Sequence, residues 1–130
     1  MIFGIGTDIV SIKRINDSVS RNPDKFPQRI LTSYELQQYQ HYYQRSADNA
    51  IAFLAKRFAA KEATAKALGT GFSNGLSLQH IEVFNLETGQ PQLRYFEVAQ
   101  TLISQNKIIQ SDLSLSDEKE YAIAYVILSC

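Results

Sequence analysis

The chain has no tryptophan, one methionine, two histidines and a single cysteine, and its 13 Lys+Arg are cancelled by 13 Asp+Glu. One cysteine, Cys130, excludes an intrachain disulfide and favours a reducing compartment. At the end of the chain it has no shelter in which a thiol would be activated. The cancelled charge excludes a uniformly basic protein that coats nucleic acid, and an acidic tail. No apolar run reaches the length of a membrane span, and no basic segment leads into the apolar stretch of a signal peptide. His41 and His80 have no cysteine or histidine at ligand spacing, so both read as structural. With 45% apolar and 20% charged residues over 130 positions, a soluble, cytoplasmic protein is expected, one domain over 1–130, without a nucleic-acid or membrane partner.

The hydrophobic pattern predicts an α+β domain: an N-terminal strand, then helices including one long one, then a small antiparallel sheet. Met1–Val10 reads as a buried strand. Ser11 caps a helix with Ile12, Ile15 and Val19 at helical spacing. Pro23 and Pro27 mark a turn-rich connection. Thr32-Ser33-Tyr34-Glu35 fits a capping box for a helix to about Tyr43, and Ser46 caps a longer one through Leu68, stopped by Gly69 and Gly71. Strands follow at Ile81–Leu86 and Pro91–Tyr95, a helix at Phe96–Asn106, and strands at Ile108–Leu115 and Tyr121–Leu128 around a charged turn.

Two carboxylates stand where apolar residues are expected. On the long helix, positions 51, 54, 55, 58, 62, 65 and 69 share one face at 100° per residue, and Glu62 interrupts that otherwise apolar stripe. Asp8 closes the apolar N-terminal strand. Each taken alone reads as a structural ion pair or a turn-forming acid. Together they can form a hard-oxygen site for Mg²⁺, which takes one or two carboxylates and completes its shell with water and substrate phosphate. A phosphate-bearing ligand follows from that. Lys66, one turn beyond Glu62, is the candidate phosphate cation, Arg57 flanks the site, and Gly69-Thr70-Gly71 offers backbone to a ligand. Lys56 reads as solvated. Gly4-Ile5-Gly6 lacks the third glycine of a dinucleotide fingerprint, because position 9 is Ile9.

Phe3-Gly4-Ile5-Gly6-Thr7-Asp8-Ile9-Val10, with Lys13-Arg14-Ile15 behind it, resembles the opening of bacterial holo-acyl-carrier-protein synthases. Phe53-Leu54-Ala55-Lys56-Arg57-Phe58-Ala59-Ala60-Lys61-Glu62-Ala63, then Lys66-Ala67-Leu68-Gly69-Thr70-Gly71, is similar to the family's second signature. Gly89-Gln90-Pro91, Leu113-Ser114-Leu115-Ser116 and Tyr121-Ala122-Ile123-Ala124 echo it further on. The resemblance implies a 4′-phosphopantetheinyl transferase, which moves the phosphopantetheine arm of coenzyme A to a serine of apo-acyl carrier protein and releases adenosine 3′,5′-bisphosphate, in support of fatty acid biosynthesis. It implies Asp8 and Glu62 as Mg²⁺ ligands, Arg57 and Lys66 at coenzyme A phosphates, the Gly69–Gly71 loop at the nucleotide, and a homotrimer with active sites between subunits. Two positions depart from the pattern: Ser11 where many members have Glu, and Asp117 where many have His. Asp117 cannot meet a phosphate and is left out of the site.

On this reading Asp8, Glu62 and Lys66 carry the catalysis, and the base that takes the serine proton stays open between a water at the metal and Glu62. Residues 11–30 hold Lys13, Arg14, Arg21, Lys25 and Arg29 against Asp17 and Asp24, a net +3. That suits docking of an acidic carrier, with Arg14 and Arg21 as its contacts. A non-catalytic nucleotide-binding module would not need the carboxylate pair. A two-metal phosphohydrolase would need further acidic ligands, and neither motif has one.

Overall fold

The computed structural model describes residues 1–130. In chain order it holds β1 (Ile2–Ser11), α1 (Ile12–Arg21), α2 (Lys25–Ile30), α3 (Ser33–Arg45), α4 (Ala47–Leu68), β2 (Ile81–Asn85), β3 (Pro91–Tyr95), α5 (Glu97–Gln105), β4 (Gln110–Asp117) and β5 (Tyr121–Ser129). The α+β class is as expected. The N-terminal strand does not stand apart from the later sheet, however. It returns as an edge strand in the order β1-β5-β4, all antiparallel, while β2 and β3 form a separate hairpin.

The caps lie where the polar residues call for them. Ser11 Oγ accepts from the Arg14 amide at 3.3 Å and Ser46 Oγ from the Asn49 amide at 3.2 Å. Thr32 and Glu35 close the capping box in both directions. Gly69 ends α4 at φ 83°, a conformation other residues adopt only with strain.

Three expectations are corrected. The Pro23–Pro27 connection contains a helix, α2, because Pro27 is its third residue, where a helix has no use for an amide proton. The fourth strand begins at Gln110, not Ile108. The turn after α5 uses up the intervening residues, with Lys107 at φ 55° and the Ile108 amide bonded to the Ile103 carbonyl at 3.0 Å. Finally, α4 is not a one-faced helix. It runs through the middle of the molecule, and Ala50, Leu54, Ala55, Ala59, Ala60 and Ala63 are wholly buried. Its small alanines let other elements approach from several sides. The N-terminal half of α4 packs with α1, α2 and α3 around Ile15, Ile30, Ile51 and Leu54. The C-terminal half packs with the sheet, the hairpin and α5 around Ala63, Ile81, Val83 and Val126.

Candidate active site

The site is made by the approach of β1 to α4. Gly4, Gly6 and Asp8 alternate onto the strand face that lies on the helix. A Cβ on Gly4 would sit 2.0 Å from the Ala67 carbonyl oxygen, and one on Gly6 would sit 1.9 Å from that of Ala63. Strand and helix backbones are therefore in direct contact and run in opposite directions. Two strand residues advance about 6.6 Å and four helical residues about 6 Å, so the steps stay matched. The next step past Gly6/Ala63 sets Asp8 at the turn of α4 that begins at Ala59 and includes Glu62, and the Asp8 charge acts on the Glu62 carboxyl. The two glycines are packing residues, in keeping with the rejection of a dinucleotide loop.

Lys66 completes the cluster. Its Nζ donates to Asp8 Oδ1 at 3.0 Å and to the Thr7 carbonyl at 2.9 Å. Glu62 is half-buried; burial pushes its carboxyl pKa up, the Asp8 charge adds to that, and Lys66 partly offsets it. Asp8, Glu62 and Lys66, three of the residues expected at the site, are thus electrostatically one group: two carboxylates sharing one ammonium. No set of three or more His, Cys, Asp and Glu stands together anywhere in the chain. Two hard oxygen donors with surplus negative charge fit an ion that keeps its other positions for water and phosphate, as Mg²⁺ does.

Arg57 does not flank Glu62 as expected. Five residues earlier on α4, it points about 140° away around the axis. It is 5% exposed, its guanidinium carbon stands 4.3 Å from the Phe53 ring centroid, and Nη2 donates to Asn85 Oδ1 at 2.8 Å. Its Nε is buried without a partner, and burial lowers its pKa. Nothing in the sequence pattern marks Asn85, at the start of the β2–β3 turn, as its holder. Lys56 is also corrected: it pairs with Asp117 at 3.3 Å.

The fully buried charge on α4 is Lys61, which the sequence pattern hides among its solvated neighbours. Its Nζ donates to Glu35 Oε1 at 2.5 Å and to the Ile30 carbonyl at 2.6 Å. Burial lowers its pKa, and Glu35 opposes that. Glu35 also accepts from the amides of Thr32 at 2.9 Å and Val83 at 2.7 Å, so the capping box doubles as the seat of a core ion pair.

The remaining candidates lie on the surface. Gly69 and Thr70 are exposed beyond Lys66, and an added Cβ at Gly69 or Gly71 would meet nothing within 4 Å. Arg14 and Arg21 are exposed seven residues apart on the outer face of α1, opposite the buried Ile15 and Val19. His80 Nδ1 accepts from the Ser77 amide at 3.2 Å, a structural role. The largest cavity, about 870 Å³ between α1, the start of α4 and the 117–121 turn, includes none of Asp8, Glu62 and Lys66.

Residues 4–126 match the model of the 4′-phosphopantetheinyl transferase superfamily. The chain belongs to this family. Among its relatives, the holo-acyl-carrier-protein synthase of Hamiltonella defensa is 48% identical over 127 residues, covering 98% of this chain and 97% of that protein. The crystal structure of the Neisseria meningitidis holo-acyl-carrier-protein synthase matches all of both chains at 38% identity and a TM-score of 0.90. The Helicobacter pylori synthase, solved in complex with coenzyme A, matches at 30% identity and a TM-score of 0.82, over 96% of this chain and 99% of that one. The phosphopantetheinyl transferase fold accordingly extends over nearly the whole chain. No helix in it is long and apolar enough to cross a membrane.

Proposed function

We propose that residues 1–130 act as one domain that transfers 4′-phosphopantetheine from coenzyme A to a serine of apo-acyl carrier protein, with Mg²⁺ as cofactor and release of adenosine 3′,5′-bisphosphate, and that the holo-carrier so made serves fatty acid biosynthesis in the cytoplasm. The observation that carries this reading is the cluster of Asp8, Glu62 and Lys66 on the β1–α4 contact. Asp8 and Glu62 would hold the metal, which when bound supplies positive charge to the pyrophosphate. The serine Oγ loses its proton to Glu62 or to a water and forms a new bond to the β-phosphorus, the bridging P–O bond breaks, and adenosine 3′,5′-bisphosphate leaves carrying the freed charge. Lys66, on the exposed side of the cluster, is suited to hold that growing negative charge. The open backbone of Gly69, Thr70 and Gly71 beyond it suits approach by the nucleotide. Glu62→Gln and Asp8→Asn should each lower kcat by about 10²–10³-fold. Full transfer by Glu62→Gln at low Mg²⁺ would contradict the assignment.

The direction of Arg57 supports a homotrimer with shared sites. The resemblance implies Arg57 at a coenzyme A phosphate, and Arg57 faces away from Glu62 on the same helix, so the two would serve one coenzyme A from neighbouring subunits. The sheet supports assembly as well. Its outer face exposes Ile5 and Ile9 of β1, at 56% and 62%, beside Tyr121, Ile123 and Tyr125 of β5, with Ile9 opposite Ile123. Such a contiguous apolar face marks an interaction surface. The exposed Arg14 and Arg21 on α1 fit an acidic carrier; reversing both to Glu should slow association most at low salt. Unchanged association there would remove them from the docking face.

A further inference from the structure

Lys66 does more in this structure than stand ready for a phosphate. Its ammonium is bound to Asp8 Oδ1 at 3.0 Å and to the Thr7 carbonyl at 2.9 Å. The Asp8 side chain is only 16% exposed, too covered for water to replace that partner in full, while the Lys66 side chain is 54% exposed. Lysine has a flexible four-carbon stem and three donors, and beyond it the Gly69–Gly71 loop leaves open space. The covered carboxylate is thus fixed and the ammonium is free to swing. Lys66 engages Oδ1 alone, but a dication on either Asp8 oxygen would still stand within a few ångström of that ammonium, where the two positive charges repel.

We infer that Lys66 is the resident counter-ion of Asp8, that it gives up this carboxylate when a divalent cation takes it, and that the released ammonium then captures the phosphate of the substrate. The inference rests on the metal reading of Asp8 and Glu62 and adds a coupling to it. A cation at Asp8 frees Lys66 for phosphate, and phosphate at Lys66 frees Asp8 for the cation. Each ligand therefore raises the affinity for the other by the same factor. The bistable element is one side chain with two alternative anionic partners. Lys66 in this role is a positioning and gating residue for metal entry, in addition to its contact with phosphate.

The test is calorimetric titration of Mg²⁺ into the full chain, with and without coenzyme A, for the wild type, Lys66→Met and Asp8→Asn. It is joined to lysine-ammonium NMR of the wild type. Lys66→Met should bind Mg²⁺ about tenfold more tightly in the absence of coenzyme A, and the tightening caused by coenzyme A should shrink by a similar factor. The Lys66 ammonium resonance should move as Mg²⁺ alone saturates the protein. Three results would overturn the exchange: Mg²⁺ affinity of Lys66→Met within twofold of wild type, an undiminished effect of coenzyme A, or a Lys66 resonance that stays still through Mg²⁺ saturation. Unchanged Mg²⁺ binding by Asp8→Asn would instead overturn the underlying metal assignment, so the two failures are told apart.

Discussion

Gly6 of β1 lies against the Ala63 carbonyl of α4 so closely that a single methyl on Gly6 would stand 1.9 Å from that oxygen. The contact sets the height of Asp8 over Glu62, and with it the whole candidate site. Gly6→Ala cannot be relieved by a side-chain rotation, since the obstacle is backbone. It should cost about 3 kcal/mol or more in urea unfolding. Gly69→Ala, strained at φ 83° but with open space around it, should cost only about 1 kcal/mol. Equal costs at the two positions would contradict the packing account.

The Lys61–Glu35 pair is wholly buried, at 0% exposure on both sides. Lys61→Met leaves an uncompensated carboxylate in the core and should cost about 3–5 kcal/mol. Adding Glu35→Gln removes the stranded charge and keeps an acceptor for one of the two amides that Glu35 holds, Thr32 at Oε1 or Val83 at Oε2, and should recover part of the loss. A double mutant no more stable than Lys61→Met would show that the charge is not what the pair manages.

These cases mark what the sequence can and cannot reveal. Asp8, Glu62 and Lys66 are legible because a carboxylate on an apolar element, or a lysine four residues beyond one, is a local pattern. The helix caps and the hairpin turn are legible for the same reason. Gly4 and Gly6 give no such signal, since their role depends on Ala63 and Ala67, about sixty positions away. Lys61 looks like Lys56 and Lys66 until α3 brings Glu35 over it. The side of α4 on which Arg57 emerges is legible from helical spacing, but that this side is also covered, with Asn85 of the β2–β3 hairpin holding the guanidinium, is not visible to a single-stripe reading. Pro27 hides α2 because a proline near a helix start and a proline in a turn look alike in one dimension.

Alkaline behaviour follows from two tyrosines. Burial pushes the phenols of Tyr39 and Tyr95 up to about 12; for Tyr95 the Ser111 hydroxyl at 2.5 Å works the other way. A pKa raised in the folded state stabilises the fold below the unfolded value of 10 and loses that contribution as pH rises towards 12. Ultraviolet titration should show two of the seven tyrosines ionising late. Tyr95→Phe should remove about 2 kcal/mol of the stability lost between pH 10 and 12. If every tyrosine titrates together near 10 in the folded protein, the burial argument does not hold.

The outer sheet face predicts an assembly defect separable from folding. Ile123→Lys sets a charge at the centre of the apolar face, opposite Ile9. It should sediment as a monomer with unchanged far-ultraviolet circular dichroism, and should lose transfer activity because Arg57 and Glu62 no longer meet across subunits. An Ile123→Lys protein that remains trimeric, or a wild type that sediments as a monomer, would contradict the shared site.

The most direct measurement is the mass of an apo-acyl carrier protein after incubation with this chain, coenzyme A and Mg²⁺. The carrier should gain one phosphopantetheine group with equimolar release of adenosine 3′,5′-bisphosphate. The gain should vanish when Mg²⁺ is chelated and should slow about 10²–10³-fold when Glu62→Gln replaces the wild type. A carrier whose mass is unchanged by the wild-type chain under these conditions would contradict the central claim.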